Sequence, residues 1–236
     1  MVLSGAPTAG SGCAISHHYK FIYIHVLKSG GMTIKAFLKR ALCNQTATPC
    51  PMGRNVLEIV HCATAVSNHA NYFVWSFVRN PFSRLYSGYS MADSMRTSKQ
   101  RNTTLREFTF QEFALAKRIQ RSSLSMTSTD HYVPQVAFLF DSSSCPVVDF
   151  IGHLEHFQED LEFVLQKIQS PELQSYYDQH GEELHESSTA YGKRKQDKGE
   201  SLSKVYATPK VMQAVANEFK QDFRLLRYDP TVIPYQ

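Results

Sequence analysis

Between Lys20 and Leu27 the chain reads KFIYIHVL, an apolar run rich in β-branched and aromatic residues, and this predicts a buried strand. Gly30 and Gly31 break the run. From Met32 to Leu42 the apolar residues Ile34, Phe37, Leu38 and Ala41 then recur at i, i+3, i+4 and i+7, the stripe of an amphipathic helix. The same order returns further on. Asn71 to Val78 predicts a second strand, and Asn80-Pro81 supplies a good helix cap and a favoured first helical residue for a helix over Phe82 to Met95.

Downstream, a polar break at Arg96 to Thr103 precedes a predicted helix over Thr104 to Arg121, followed by a Ser/Thr-rich loop at Ser122 to Thr129. Asp149 to Leu154 (DFIGHL) predicts a third short strand. It leads into a helix over His156 to Ile168, whose stripe is Phe157, Leu161, Val164, Leu165 and Ile168 and whose acidic residues gather at the positive end of the helix dipole. Thr208-Pro209 opens a last helix running through Asp222. The Ser/Gly-rich opening, residues 1–18, predicts a mobile segment, and residues 19–236 one domain without internal repeats. Strands alternating with helices imply an α/β fold, a mainly parallel central sheet flanked by helices, with ligands at the carboxyl ends of the strands. The turns at Leu27–Gly31 and Arg79–Pro81 therefore lie on the rim where a site belongs.

Composition narrows the choice of chemistry. With 42% hydrophobic and 19% charged residues, wholesale disorder is excluded, and a net charge of +4 is too small to mark a nucleic-acid binder. No apolar run approaches the roughly 18 residues of a membrane span, and the first residues lack the basic start and apolar core of a signal peptide. Five scattered cysteines, Cys13, Cys43, Cys50, Cys62 and Cys145, form no zinc cluster and leave at least one thiol unpaired. Cys43 and Cys50 either close a local disulfide or stay as two buried thiols. Two glycosylation sequons, at Asn44 and Asn102, tilt the expectation toward an oxidising secretory lumen.

The first rim turn, His25 to Thr33 (HVLKSGGMT), carries a lysine, two glycines and two hydroxyls between strand and helix. Gly30 and Gly31 let backbone N–H groups approach an anion, the helix N-terminus adds unpaired donors, and Lys28 adds a formal charge. Ser29 and Thr33 can donate further hydrogen bonds to phosphate oxygens. The lysine precedes the glycines, the reverse of a Walker A loop, so ATP hydrolysis of that type is disfavoured. A tight turn with a solvated lysine would read the same, and a second anion site is needed to decide. Val78 to Tyr89 (VRNPFSRLYSGY) supplies it: Arg79 at a strand end suits bidentate contact with a phosphate, and Ser87 follows two helical turns into the next helix.

These two motifs resemble those of the carbohydrate sulfotransferases that use 3′-phosphoadenosine 5′-phosphosulfate (PAPS). There a strand-loop-helix motif holds the 5′-phosphosulfate, and R-[DN]-P-x-x-R-x-x-S-x-[YF] holds the 3′-phosphate. The likeness continues through His131 to Gln135 (HYVPQ), Asp149 to Glu155 and the closing Phe219 to Tyr228. It implies a P-loop-like three-layer fold and a transfer of the sulfuryl group to a hydroxyl of a glycan or proteoglycan by in-line displacement. Lys28, Ser29, Gly30, Gly31, Met32 and Thr33 are then the 5′ loop, and Arg79 and Ser87 hold the 3′-phosphate. Members of the family often draw a histidine base from between the motifs, which offers His61, the preferred base, and His69 in reserve. His25 and His131 read as structural or substrate-side.

Lys28 would stabilise the charge developing on the departing oxygen. No metal is demanded, because the transferred sulfuryl group carries less charge than a phosphoryl group. The resemblance also implies a Golgi glycoprotein, attached to the membrane only through an anchor not present in this chain. Gly31 and Met32 depart from the hydroxyl-bearing residues usual in the family, which keeps a catalytically inactive nucleotide- or glycan-binding relative as the alternative, and a kinase as a more distant one. The basic run Tyr191 to Gly199, with Lys204, is either a cover for an anionic ligand or a solvated loop.

Overall fold

The computed structural model describes residues 12–43, 56–99, 109–115, 131–196 and 201–234. Both sequons, Cys50 and the Ser/Thr-rich loop lie outside these. The strands are β1 (Gly12–Ser16), β2 (Phe21–Ile24), β3 (Glu58–His61), β4 (Phe73–Val78) and β5 (Phe150–His153). Among the described residues the helices are α1 (Gly31–Cys43), α2 (Cys62–Asn68), α3 (Pro81–Lys99), α4 (Phe110–Leu115), α5 (Val136–Leu139), α6 (Phe157–Ile168), α7 (Pro171–Gln196), α8 (Leu202–Val205), α9 (Pro209–Glu218) and α10 (Lys220–Leu225). By internal contacts the chain divides into two compact units, Met1–Val78 with Ala137–Tyr191 and Arg79–Val136 with Gly192–Gln236.

The first unit holds the whole sheet, in the order β3-β1-β2-β4-β5. β2, β4 and β5 run parallel, and β1 runs antiparallel to both β2 and β3, so β3 points the same way as β2. Four strands thus bring their carboxyl ends to one edge, as the mainly parallel reading expected. Register puts Ala14, Tyr23 and Trp75 in one row, and with Phe21 and Phe77 they pack against α1, α6 and α7 through Ile34, Phe37, Leu38, Phe157, Leu161 and Leu173. Burying each such side chain stabilises the fold by roughly 1.5–3 kcal/mol. The other face carries Cys13, Ile15, Ile22 and Ile24, and α2 is tied to it by a disulfide between Cys13 and Cys62. Helices therefore flank the sheet on both sides, the α/β architecture expected.

Residues 12–16 correct the expectation of a mobile opening: they form β1, inside the sheet, with Cys13 to Ser16 buried. The sequence offers no partner for Cys13 or Cys62, and the fold pairs them with each other, 49 residues apart. Cys43 is disulfide-bonded as well, to a residue outside the described ones, and Cys145 is free and exposed.

In the second unit α3 packs with α4, α8, α9 and α10 around Phe82, Leu85, Phe110, Phe113, Tyr206, Val215 and Phe223. The Tyr206 hydroxyl donates to the Phe82 carbonyl over 2.8 Å, satisfying a buried phenol. The last predicted helix is broken: α9 ends at Glu218, Phe219 leaves helical geometry at φ −102 and ψ 27, and α10 restarts at Lys220. The restart turns both Asp222 and Phe223 inward. Tyr191 to Gln196 of the basic run continue α7 as helix instead of forming a loop, while Lys204 is exposed on α8.

Candidate active site

The first rim turn is built by close packing from both sides. β2 ends at Ile24, the chain turns through residues 27–30, and α1 begins at Gly31. Lys28 and Gly30 both take left-handed backbone, φ 69 and φ 77. For a lysine that conformation costs on the order of 1 kcal/mol or more, a strain typical of sites where the backbone must serve a ligand. Gly30 has a second reason to be glycine: a Cβ there would lie 2.7 Å from Leu154 Cδ1. At Gly31 a Cβ would sit 1.8 Å from Cδ2 and 2.1 Å from Nε2 of His25. The buried His25 ring thus occupies the space that a serine or threonine at 31 would need, which makes His25 a structural partner of the turn.

The first helical hydrogen bond of α1 runs from Ile34 N–H to the Gly30 carbonyl at 3.2 Å, so the amides of Gly31, Met32 and Thr33 make none within the helix. No acidic residue occupies the first turn of α1 to neutralise the dipole end. Ser29 is fully buried, and Lys28 and Thr33 are half-buried. The Met32 side chain is 76% exposed, which leaves its backbone amide as the group able to meet an anion.

The segment DFIGHL supports this turn. The Asp149 carboxylate accepts the Val74 N–H at 2.7 Å, Gly152 clears the Phe77 ring, whose Cζ would be 2.8 Å from a Cβ, and Leu154 seals Gly30. Its glycine and leucine are spaced to pass β5 beside β4 and then cover the loop.

His61 closes β3, at the edge where β2 and β4 also end, and its backbone pairs with Gly12. Its side chain lies outside the described residues. His69 is elsewhere: it packs on His17 and Tyr72, with ring centroids 5.1 and 4.7 Å apart, and His17 Nδ1 bonds the Tyr72 hydroxyl at 2.9 Å. His17 follows β1 and Tyr72 precedes β4, so this cluster belongs to the sheet edge opposite Lys28. A cation not singled out in the sequence is Lys35 on α1, whose Nζ is 4.0 Å from the point where a Cβ on Gly12 would lie. Burial, with Lys39 adding to it, pulls the Lys35 ammonium below its usual value.

The second motif begins where β4 stops. Asn80 caps α3 by accepting the Phe82 N–H at 2.9 Å, with Pro81 as the first helical residue. Arg79 is buried, and Ser87 is half-buried two turns along α3. The Arg79 N–H donates to Gln135 Oε1 at 2.9 Å, and its carbonyl accepts from Gln135 Nε2 at 2.8 Å. Arg84, the other arginine of the motif, is a core residue: it is 1% exposed and donates from Nη2 to the Val133 carbonyl at 2.9 Å. Burial pulls its guanidinium down to about 10, opposed by the charge of Asp222.

Asp222 accepts the N–H groups of Gln135 and Val136 at 2.9 and 3.0 Å. Burial lifts its carboxyl above the usual range, against the pull of Arg84 and of these bonds. The HYVPQ segment is thereby accounted for: Tyr132 donates to the Gly88 carbonyl at 3.4 Å, Val133 meets Arg84, and Gln135 holds Arg79. The resemblance marks the two segments that hold Gln135 and Asp222, but no local pattern gives either residue a role, because their partners lie tens of residues away.

Lys28 to Thr33, expected to form the 5′ loop, are thus together in the first unit, with His61 at the same sheet edge, and Arg79 and Ser87 are together in the second. No helix among the described residues is long and apolar enough to cross a membrane. A family model described as a sulfotransferase family matches residues 11–229, nearly the whole chain, while no curated protein and no solved structure matches it.

Proposed function

The chain belongs to the sulfotransferase family, and from that premise we propose that it transfers the sulfuryl group of PAPS to a hydroxyl of a carbohydrate acceptor by in-line displacement. The observation that carries this reading is the turn at residues 27–33. Two left-handed residues, two glycines closed in by His25 and Leu154, and a half-buried lysine make a cradle in which the amides of Gly31, Met32 and Thr33 have no partner within the helix.

In the proposed reaction the amides of Gly30 to Thr33 and the Ser29 and Thr33 hydroxyls hold the 5′-phosphosulfate, and Arg79 with Ser87 holds the 3′-phosphate. His61 takes the proton of the acceptor hydroxyl as its oxygen attacks sulfur. The bond from sulfur to the bridging oxygen breaks, and the charge arriving on the 5′-phosphate is met by Lys28. Because that charge develops only as the bond breaks, Lys28 acts on the transition state more than on the ground state. The departure at Gly31 is matched by the His25 ring that fills its place, so it supports a modified cradle more than a lost one. The disulfides at Cys13–Cys62 and at Cys43 support residence in an oxidising lumen, and the resemblance makes that lumen the Golgi.

Labelled sulfate supplied as PAPS, offered with a panel of desulfated glycans, tests this. The wild-type chain is expected to label at least one glycan, Lys28→Ala to lose about 10²–10³ in kcat, and His61→Ala about 10²–10⁴ in kcat with donor affinity kept. Labelling that survives intact in Lys28→Ala contradicts the assignment.

A further inference from the structure

We propose that Gln135 is the positioning residue for Arg79, and that Asp222 and Arg84 hold Gln135 in place to do it. The inference rests on the reading of Arg79 as the 3′-phosphate ligand. Arg79 is the first residue past the sheet, since the β4–β5 ladder ends at the pair Val78 and His153. Its N–H and carbonyl have left the regular pairing there. The side-chain amide of Gln135 takes both, accepting from the N–H at 2.9 Å and donating to the carbonyl at 2.8 Å, as a neighbouring strand would. Gripping the peptide on both sides of one Cα fixes the direction in which its side chain departs.

Gln135 is itself immobilised from behind. Its N–H and that of Val136 converge on the two oxygens of Asp222, and the Gln135 side-chain nitrogen lies 3.5 Å from the same carboxylate. Asp222 is fully buried, with the Arg84 charge favouring its ionised form, and Arg84 in turn binds the Val133 carbonyl. Residues 133–136 are thus carried as one block. An arginine loses much rotamer freedom when it makes a two-point contact with a phosphate. Fixing its root beforehand lowers that ordering cost, so the clamp should act on recognition of one phosphate and leave the rest of the nucleotide untouched.

The test is the ratio of affinities for adenosine 3′,5′-bisphosphate and adenosine 5′-monophosphate, measured by titration calorimetry on the full chain. Gln135→Met, which keeps volume and removes both bonds, is expected to lower that ratio about tenfold, the worth of one buried hydrogen bond. Its affinity for the monophosphate should hold within about twofold. Gln135→Glu keeps the acceptor but sets its second oxygen against the Arg79 carbonyl and the Asp222 carboxylate, so it should lower the ratio at least as far. Added to Arg79→Ala, either change should have no further effect. An unchanged ratio in both variants, or equal losses for both nucleotides, overturns the inference while leaving the donor assignment standing. A wild-type chain that does not prefer the bisphosphate overturns the donor assignment, and this inference with it.

Discussion

At the scale of single residues the turn at Gly31 shows how a family departure is compensated. A side chain at 31 and an imidazole at 25 compete for one volume, and the imidazole holds it, with a Cβ at 31 only 1.8 Å from the ring. Gly31→Ser is therefore expected to cost about 3 kcal/mol through overpacking and to abolish nucleotide binding. Gly31→Ser with His25→Ala should recover much of both, because the smaller residue vacates the space. Denaturant melts and bisphosphate titrations on the three variants check this, and a double variant no better than Gly31→Ser contradicts it. The glycines and Lys28 were legible from residue type alone, because an anion cradle needs them wherever it occurs. For His25 the sequence leaves the choice between a structural and a substrate-side role open, because its neighbour in space is six positions on, across a turn whose packing no local pattern records.

Elements with a clean period or a cap were legible in the same way. β2, β4, β5, α1 and α6 follow apolar runs or stripes, and α3, which has no such stripe, is marked by Asn80-Pro81 with the bond from Phe82 N–H that an N-cap predicts. β1 was hidden because five residues of GCAIS, with small side chains after a Ser/Gly-rich stretch, carry too little apolar signal. Only pairing on both edges makes it a strand. α7 was hidden for another reason: among residues 171–184, whose side chains are described, its buried contacts are Leu173 and Leu184 alone, although Ser170 before Pro171 caps it by accepting the Leu173 N–H at 3.3 Å. The disulfide at Cys13 belongs to this scale as well, since it fixes β1 to α2 directly after His61. Replacing Cys13 and Cys62 together by Ser should cost about 4 kcal/mol, from the chain entropy of a loop of this length. A denaturant midpoint that does not move would contradict that.

For the whole molecule, fold class and family follow from the alternation of strands and helices and from the two motifs. What the sequence could not resolve is what makes the motifs rigid. Leu154 over Gly30, His25 beside Gly31, and Gln135 with Asp222 behind Arg79 are all contacts between distant segments. They hold the two short motifs in place, and the chemistry proposed for the protein depends on both serving one donor. Titration of the wild-type chain with adenosine 3′,5′-bisphosphate, adenosine 5′-monophosphate and adenosine 3′-monophosphate measures that dependence most directly. The account predicts that the bisphosphate binds more than about tenfold tighter than either monophosphate, with Lys28→Ala and Arg79→Ala each removing one of the two gains. Equal affinity for all three nucleotides would contradict it.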